Sequence, residues 1–273
     1  MRRLAERHRT AFVTGASAGL GLAFAEMLLG EGVLVWGTAR DPARLAPLSA
    51  AHPGRFFPVA LDLADPAGAL AAHAAAAAAA GGAFDLVVQN AGYGVFGEFA
   101  AVPEGVWRTQ VGAMLGTVLA LSQASFRAMQ ERDRGCLVHV SSLAAEFPIP
   151  YMAGYNVVKA GLSALSESLM FESRGGAVRV IDFRPGDFRT EFNRAMQKEA
   201  LSARTLPAWN ALEQSMAGAP LPARAAADLR SALRRDRSGV VRSGSFFQAT
   251  LAPALARLAP QSWIRGAIAR YFA

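Results

Sequence analysis

The stretch Thr14-Gly15-Ala16-Ser17-Ala18-Gly19-Leu20-Gly21 directly follows an apolar run at residues 11–14 and opens a helical pattern at residues 20–29. Glycines at this junction let the backbone approach a ligand closely, and a helix N-terminus presents free N–H groups with partial positive charge. Together they suit a pyrophosphate. The spacing is Gly-x3-Gly-x-Gly rather than the commoner Gly-x-Gly-x2-Gly, so the turn alone also suits a β-turn-α junction with no ligand.

Working outward, short apolar runs alternate with longer helical ones. Strands are predicted at residues 11–14, 33–38, 55–60, 85–89, 136–141 and 178–183, and helices at 20–29, 65–80, 106–132 and 155–171. Gly30, Gly81, Gly135 and Gly175 follow the helical runs as stop signals. Continuous β-branched strands separated by helices imply a doubly wound parallel α/β sheet covered on both faces. No linker interrupts the chain before residue 190, so residues 1–273 read as one domain. Residues 191–222, richer in polar residues, methionine and proline, read as a mobile segment covering a substrate. A helix at 223–234, a strand at 240–242 and a basic amphipathic tail at 246–273 follow. The alanine run around His73 reads as an outer helix without a functional role.

Composition narrows the function classes. The chain has 273 residues, 52% of them hydrophobic, and a single cysteine, Cys136. No disulfide or thiolate metal cluster can form within it. The charged opening segment, the lack of a signal-like core and the absence of about 18 consecutive apolar residues lead to a cytoplasmic expectation without a membrane span. The net charge of +7 is spread over the chain rather than gathered into a stripe, which argues against nucleic acid.

The second strand ends Thr38-Ala39-Arg40, where a dinucleotide fold meets the adenosine ribose. An arginine there can clamp a 2′-phosphate in bidentate fashion, whereas the usual acidic residue would repel it. NADP(H) is therefore expected rather than NAD(H), although Arg40 could instead pair with Asp41 or lie in solvent. Tyr155 and Lys159, four residues apart at the start of a helix, share one face, and a nearby ammonium favours the phenolate. Ser142 ends the fifth strand, from where its hydroxyl can donate to a substrate oxygen. Taken alone, Tyr-x3-Lys is also common as a surface pair.

With these residues in place the chain resembles the short-chain dehydrogenase/reductase family over residues 10–190. Besides the Gly-rich turn, the resemblance rests on Asp62-Leu63, Asn90-Ala91-Gly92, Ser142 thirteen residues before Tyr-x3-Lys, and Pro185-Gly186-Asp187-Phe188-Arg189-Thr190. It implies strand order 3-2-1-4-5-6-7 and hydride transfer between nicotinamide and a carbonyl or secondary alcohol. It makes Tyr155 the general acid/base, Ser142 the group polarising the substrate oxygen, and Lys159 the ribose ligand that lowers the Tyr155 pKa. Cofactor contacts are implied for Gly15, Ser17, Gly19, Leu20, Gly21, Asp62, Leu63, Asn90, Ala91, Gly92, Pro185, Gly186, Phe188 and Thr190, several of them through backbone. One position departs: where the family has an asparagine holding a relay water, this chain has Ala113. Alanine, a strong helix former, is expected to leave that helix more regular.

A homodimer or homotetramer is expected, because the family pairs the helices at 106–132 and 155–171 between subunits and Met114, Leu115, Leu162, Leu165 and Leu169 offer apolar surface there. Phe96, Phe147, Ile149 and Phe192 point to a hydrophobic small-molecule substrate. No metal is expected, since His8, His52 and His73 share no ligand spacing with carboxylates. His139 is expected to fill a strand position rather than to serve a Ser-His pair. Packing over the pocket or against another subunit is favoured for the tail over a membrane surface. The rival to an enzyme is an NADP-binding sensor of the same fold.

Overall fold

The computed structural model describes residues 3–199 and 201–272, so Met1 and Arg2 of the opening segment, Ala200 within the segment expected to cover a substrate, and Ala273 of the tail lie outside the description. Seven strands form one parallel sheet: β1 (Thr10–Val13), β2 (Leu34–Ala39), β3 (Phe56–Ala60), β4 (Leu86–Gln89), β6 (Gly135–Val140), β7 (Val178–Pro185) and β9 (Gly239–Ser243). Two short strands, β5 (Val95–Phe96) and β8 (Gln197–Lys198), pair apart from it. The order β3-β2-β1-β4-β6-β7-β9 is the expected 3-2-1-4-5-6-7 once the small pair is set aside. Pro58 sits in β3, an edge strand, where its missing N–H costs no ladder bond.

Successive side chains of a strand face opposite ways, and here both faces are buried. Phe12, Val87, Leu137 and Val180 belong to one core, and Ala11, Val13, Leu86, Val88, Val138 and Phe183 to the other. The second core is closed by α1 (Gly19–Gly30), α2 (Ala46–Ala51) and α8 (Pro222–Arg235). The first is closed by α3 (Pro66–Ala79), α4 (Glu104–Val111), α5 (Val118–Glu131) and α6 (Ala153–Glu172). Asp65 caps α3 by accepting from the Gly68 N–H at 3.0 Å, with Pro66 in the first turn. Gly30 ends α1, but the left-handed residue after it is Gly32 at φ +85°.

Residues 191–222 and the tail both carry regular structure. The covering segment contains β8 and α7 (Leu206–Ala217), and the tail folds into a π-helical turn at Phe247–Leu251, α9 (Ala252–Ala256) and α10 (Gln261–Tyr271). No helix among the described residues is long and apolar enough to cross a membrane.

The helix expected at 106–132 is interrupted. Residues Gly112–Thr117 form a π-helical turn between α4 and α5, with Ala113 buried inside it. The expectation that alanine makes this helix regular is therefore corrected. Propensity is a weak term, and neighbours hold the wide turn. Thr117 Oγ1 donates to Leu63 O at 2.8 Å, Met114 Sδ accepts from the Tyr93 N–H at 3.3 Å, and Leu115 packs against Gly161, where a Cβ would come within 3.0 Å.

Candidate active site

At the carboxyl ends of β1, β2, β4, β6 and β7 lies one cavity of about 1810 Å³. The Gly-rich turn forms one wall. Gly15 and Gly19 take φ of +70° and +56°, which side-chain-bearing residues rarely adopt, and α1 begins at Gly19 with no side chain capping its N–H groups. The N–H groups of Gly15 and Ala16 are held by Thr38, through Oγ1 at 3.2 Å and O at 2.8 Å. An uncapped helix start over a glycine cradle fits a pyrophosphate.

All the expected cofactor residues line the cavity except Gly21. A Cβ there would lie 2.1 Å from Gly15 O and 2.5 Å from Asn90 Nδ2, so this glycine serves close packing between α1 and the turn. Gly21→Ala is expected to destabilise the fold by about 2 kcal/mol or more and to weaken cofactor binding with it, measured by denaturant unfolding and by titration. Asn90 is likewise a clamp on the turn. Its Nδ2 donates to Thr14 O at 2.9 Å, and its N–H reaches Thr14 Oγ1 at 2.8 Å.

Arg40 is exposed at the cavity edge, and no carboxylate among the described residues pairs with it, Asp41 included. Asp41 instead caps the following 3₁₀ turn through Ala43 N–H. Arg44, one turn further on and not singled out from the sequence, lines the same end.

At the other end stand Ser142, Tyr155 and Lys159. Alternation along the chain separates the two serines: Ser141 Oγ donates to Asp182, while Ser142 Oγ lies beside the Tyr155 hydroxyl and also donates to Pro185 O at 3.4 Å. Tyr155 and Lys159 both point inward from α6 and are buried. Burial pushes the Tyr155 phenol up to about 12, against the lowering hydrogen bond from Ser142. The same cause brings the Lys159 ammonium down to about 8, opposed by the charge of Asp182. Lys159 Nζ lies 5.5 Å from the centre of the Tyr155 ring and donates to Val140 O at 2.7 Å. The expected lowering of the Tyr155 pKa by Lys159 has no counterpart here: burial raises it and the Asp187 carboxylate adds to the rise, against the Ser142 hydrogen bond.

Several residues of this site carried no sequence signal. Asp182, fully buried, accepts from Ser163 Oγ and Arg184 Nε, both at 2.7 Å, and supplies the negative charge behind Lys159. Gln248, from the tail, binds the Gly186 loop: its Nε2 donates to Asp187 Oδ2 at 2.7 Å, and its Oε1 accepts from Asp187 N–H at 3.3 Å. Their partners are distant in the chain, so no local pattern marks them. Apolar walls come from Phe147, Ile149, Met152, Met196 and Phe192, whose ring lies 5.7 Å from that of Tyr155. Gln110 does not line the cavity; its Nε2 donates to Tyr93 O. His139 lies buried between Ser122 and Ser166, at 2.9 and 2.8 Å, and burial holds its pKa down near 4.

The family model for short chain dehydrogenases matches residues 9–201. An uncharacterized oxidoreductase of Myxococcus xanthus is 38% identical over 191 residues, 67% of this chain and 74% of that one. An oxidoreductase of Botryotinia fuckeliana is 32% identical over 182 residues, 66% of each chain, so just under two thirds of that relative is spanned. A solved short-chain dehydrogenase from Streptomyces avermitilis superposes with a TM-score of 0.84 at 28% identity, covering 96% of this chain and 98% of that one. The order of the sheet, the glycine cradle and these likenesses agree, and the chain belongs to the short-chain dehydrogenase/reductase family of oxidoreductases acting at alcohol and carbonyl groups.

Proposed function

We propose that this protein is an NADP(H)-dependent reductase or dehydrogenase of a hydrophobic carbonyl compound or secondary alcohol, with Tyr155 as general acid/base. The observation carrying this reading is that Ser142, Tyr155 and Lys159 meet on the wall of the same cavity that the glycine cradle and Arg40 line. A bound nicotinamide would supply or accept the hydride.

The chain's own residues do the rest. Ser142 Oγ orients the substrate oxygen, and the Tyr155 hydroxyl beside it gives up or takes the proton. A phenol held up at about 12 keeps its proton at neutral pH and is in the donating form for carbonyl reduction. As that proton leaves, negative charge grows on the phenolate, and the buried Lys159 ammonium offsets it. Gly15, Ser17, Gly19 and Leu20 would hold the pyrophosphate; Asp62, Leu63 and Asn90–Gly92 would flank the adenosine side; Pro185, Gly186, Phe188 and Thr190 would meet the carboxamide. Phe192, Met152, Met196 and Phe147 favour an apolar substrate, covered by residues 191–222. Exposed Leu119, Val157 and Phe171 on α5 and α6 support pairing of these helices between two copies of a one-domain subunit.

Arg40, with Arg44 beside it, supports the choice of NADP(H). In fluorescence titrations NADPH is expected to bind more tightly than NADH, and Arg40→Asp to weaken NADPH by roughly ten- to a hundredfold and invert the preference, since each charge-assisted contact contributes about 1.5–3 kcal/mol. Equal affinities in the parent protein would remove the 2′-phosphate from this reading.

A further inference from the structure

We propose that the folded tail is an interfacial element that seats the mouth of the cavity on an anionic phospholipid bilayer. Half of the exposed large apolar side chains among the described residues fall between residues 246 and 271. They include Phe246, Leu251, Leu255, Leu258, Trp263 and Tyr271, with Leu258 88% and Trp263 73% exposed. Monomeric surfaces rarely gather apolar groups this way without a partner.

The helix α10 explains the arrangement. Ile264, Ile268 and Phe272, four residues apart, are half-buried on the cavity side, while Trp263 and Tyr271 combine a place on the cavity lining with wide exposure. The apolar surface is therefore continuous from the interior, past the rim, to the outside. An apolar molecule could pass along it without crossing water.

Charge selects the occupant. No acidic residue follows Asp236, whereas Arg257, Arg265 and Arg270 are exposed and without a carboxylate partner among the described residues. Arginines beside tryptophan and tyrosine on an amphipathic helix suit the headgroup layer of an anionic membrane, where the guanidinium reaches phosphate and the rings lie at the boundary. A second copy fits poorly, because a two-fold contact sets this patch against itself, cation facing cation.

The test floats the full chain through a density gradient with vesicles of equimolar phosphatidylglycerol and phosphatidylcholine, and with phosphatidylcholine alone. Protein is expected to rise with the anionic vesicles, less with the neutral ones, and less again at high salt. Replacing Arg257, Arg265 and Arg270 by Gln should weaken binding by about a hundredfold, because one arginine near an anionic surface contributes a factor of about five. Phe246→Ser with Leu258→Ser should abolish flotation yet leave turnover of a water-soluble carbonyl unchanged, since neither side chain lines the cavity. Flotation is read as protein amount, so it stands or falls independently of the NADP(H) and carbonyl reading. A parent protein that stays at the bottom with both vesicle types would overturn the proposal, as would variants that float like the parent. A concentration-dependent dimer lost in the Phe246/Leu258 variant, without vesicle binding, would assign the surface to a second copy and overturn it too.

Discussion

Tyr155→Phe is expected to lower kcat by roughly a hundred- to ten-thousandfold while leaving cofactor affinity and stability close to those of the parent. The change removes the transferable proton and almost no volume. The ring keeps its contact with Phe192, and Ser142 Oγ retains Pro185 O as a partner, so no buried donor is stranded. Steady-state kinetics beside a titration of reduced cofactor separate the effects: chemistry is lost and binding is kept. A variant with parental turnover would take Tyr155 out of the mechanism.

Lys159→Met is expected to lose turnover by a similar factor and, at neutral pH, to make the protein more stable. The folded state holds this ammonium at about 8, below the ordinary lysine value of about 10.4, through burial. Between these values the unfolded chain binds more protons than the folded one, so the parent's stability rises with pH over that window. Below about 8 the whole cost of burying the charge is present. Methionine escapes that cost, of order 2 kcal/mol after allowing for the lost hydrogen bond to Val140 O. Denaturant unfolding should therefore show the variant's advantage largest near pH 6 to 7 and shrinking towards pH 10. In the parent, kcat/KM for carbonyl reduction should fall as pH rises through about 8, when the charge that offsets the phenolate is lost. A variant less stable than the parent across the whole range would mean that Lys159 carries no buried-charge cost.

The contrast between Tyr155 and Lys159 shows where sequence reasoning stops. Their spacing of four residues placed both on one face of α6, but not the balance between burial and charge. That balance depends on how much water the covering elements exclude, and Phe192 and Asp182 enter the site from β7 and the segment after it. Asn90 and Gly21 were legible as motif members, yet the sequence did not show that both brace the glycine turn, Asn90 while lining the cavity and Gly21 away from it, where a Cβ would meet Gly15 O. The π-helical turn at Gly112–Thr117 was missed for the same reason, because residue 113 does not set it alone: Thr117 on Leu63 and Leu115 on Gly161 hold it from outside the helix.

By itself the sequence determined the parallel doubly wound sheet, while its strand order and the end of the sheet holding the candidate site came from the family resemblance that the motif spacings carry. Apolar periodicity, glycines at strand-to-helix turns and the motif spacings are properties of neighbouring residues, and local backbone physics acts on them directly. Only the tertiary structure decided that the tail folds over the cavity mouth, that Gln248 clamps the Gly186 loop and that Asp182 stands behind Lys159. Those contacts join residues far apart in the chain, and their strength comes from excluding water between surfaces that no local window contains.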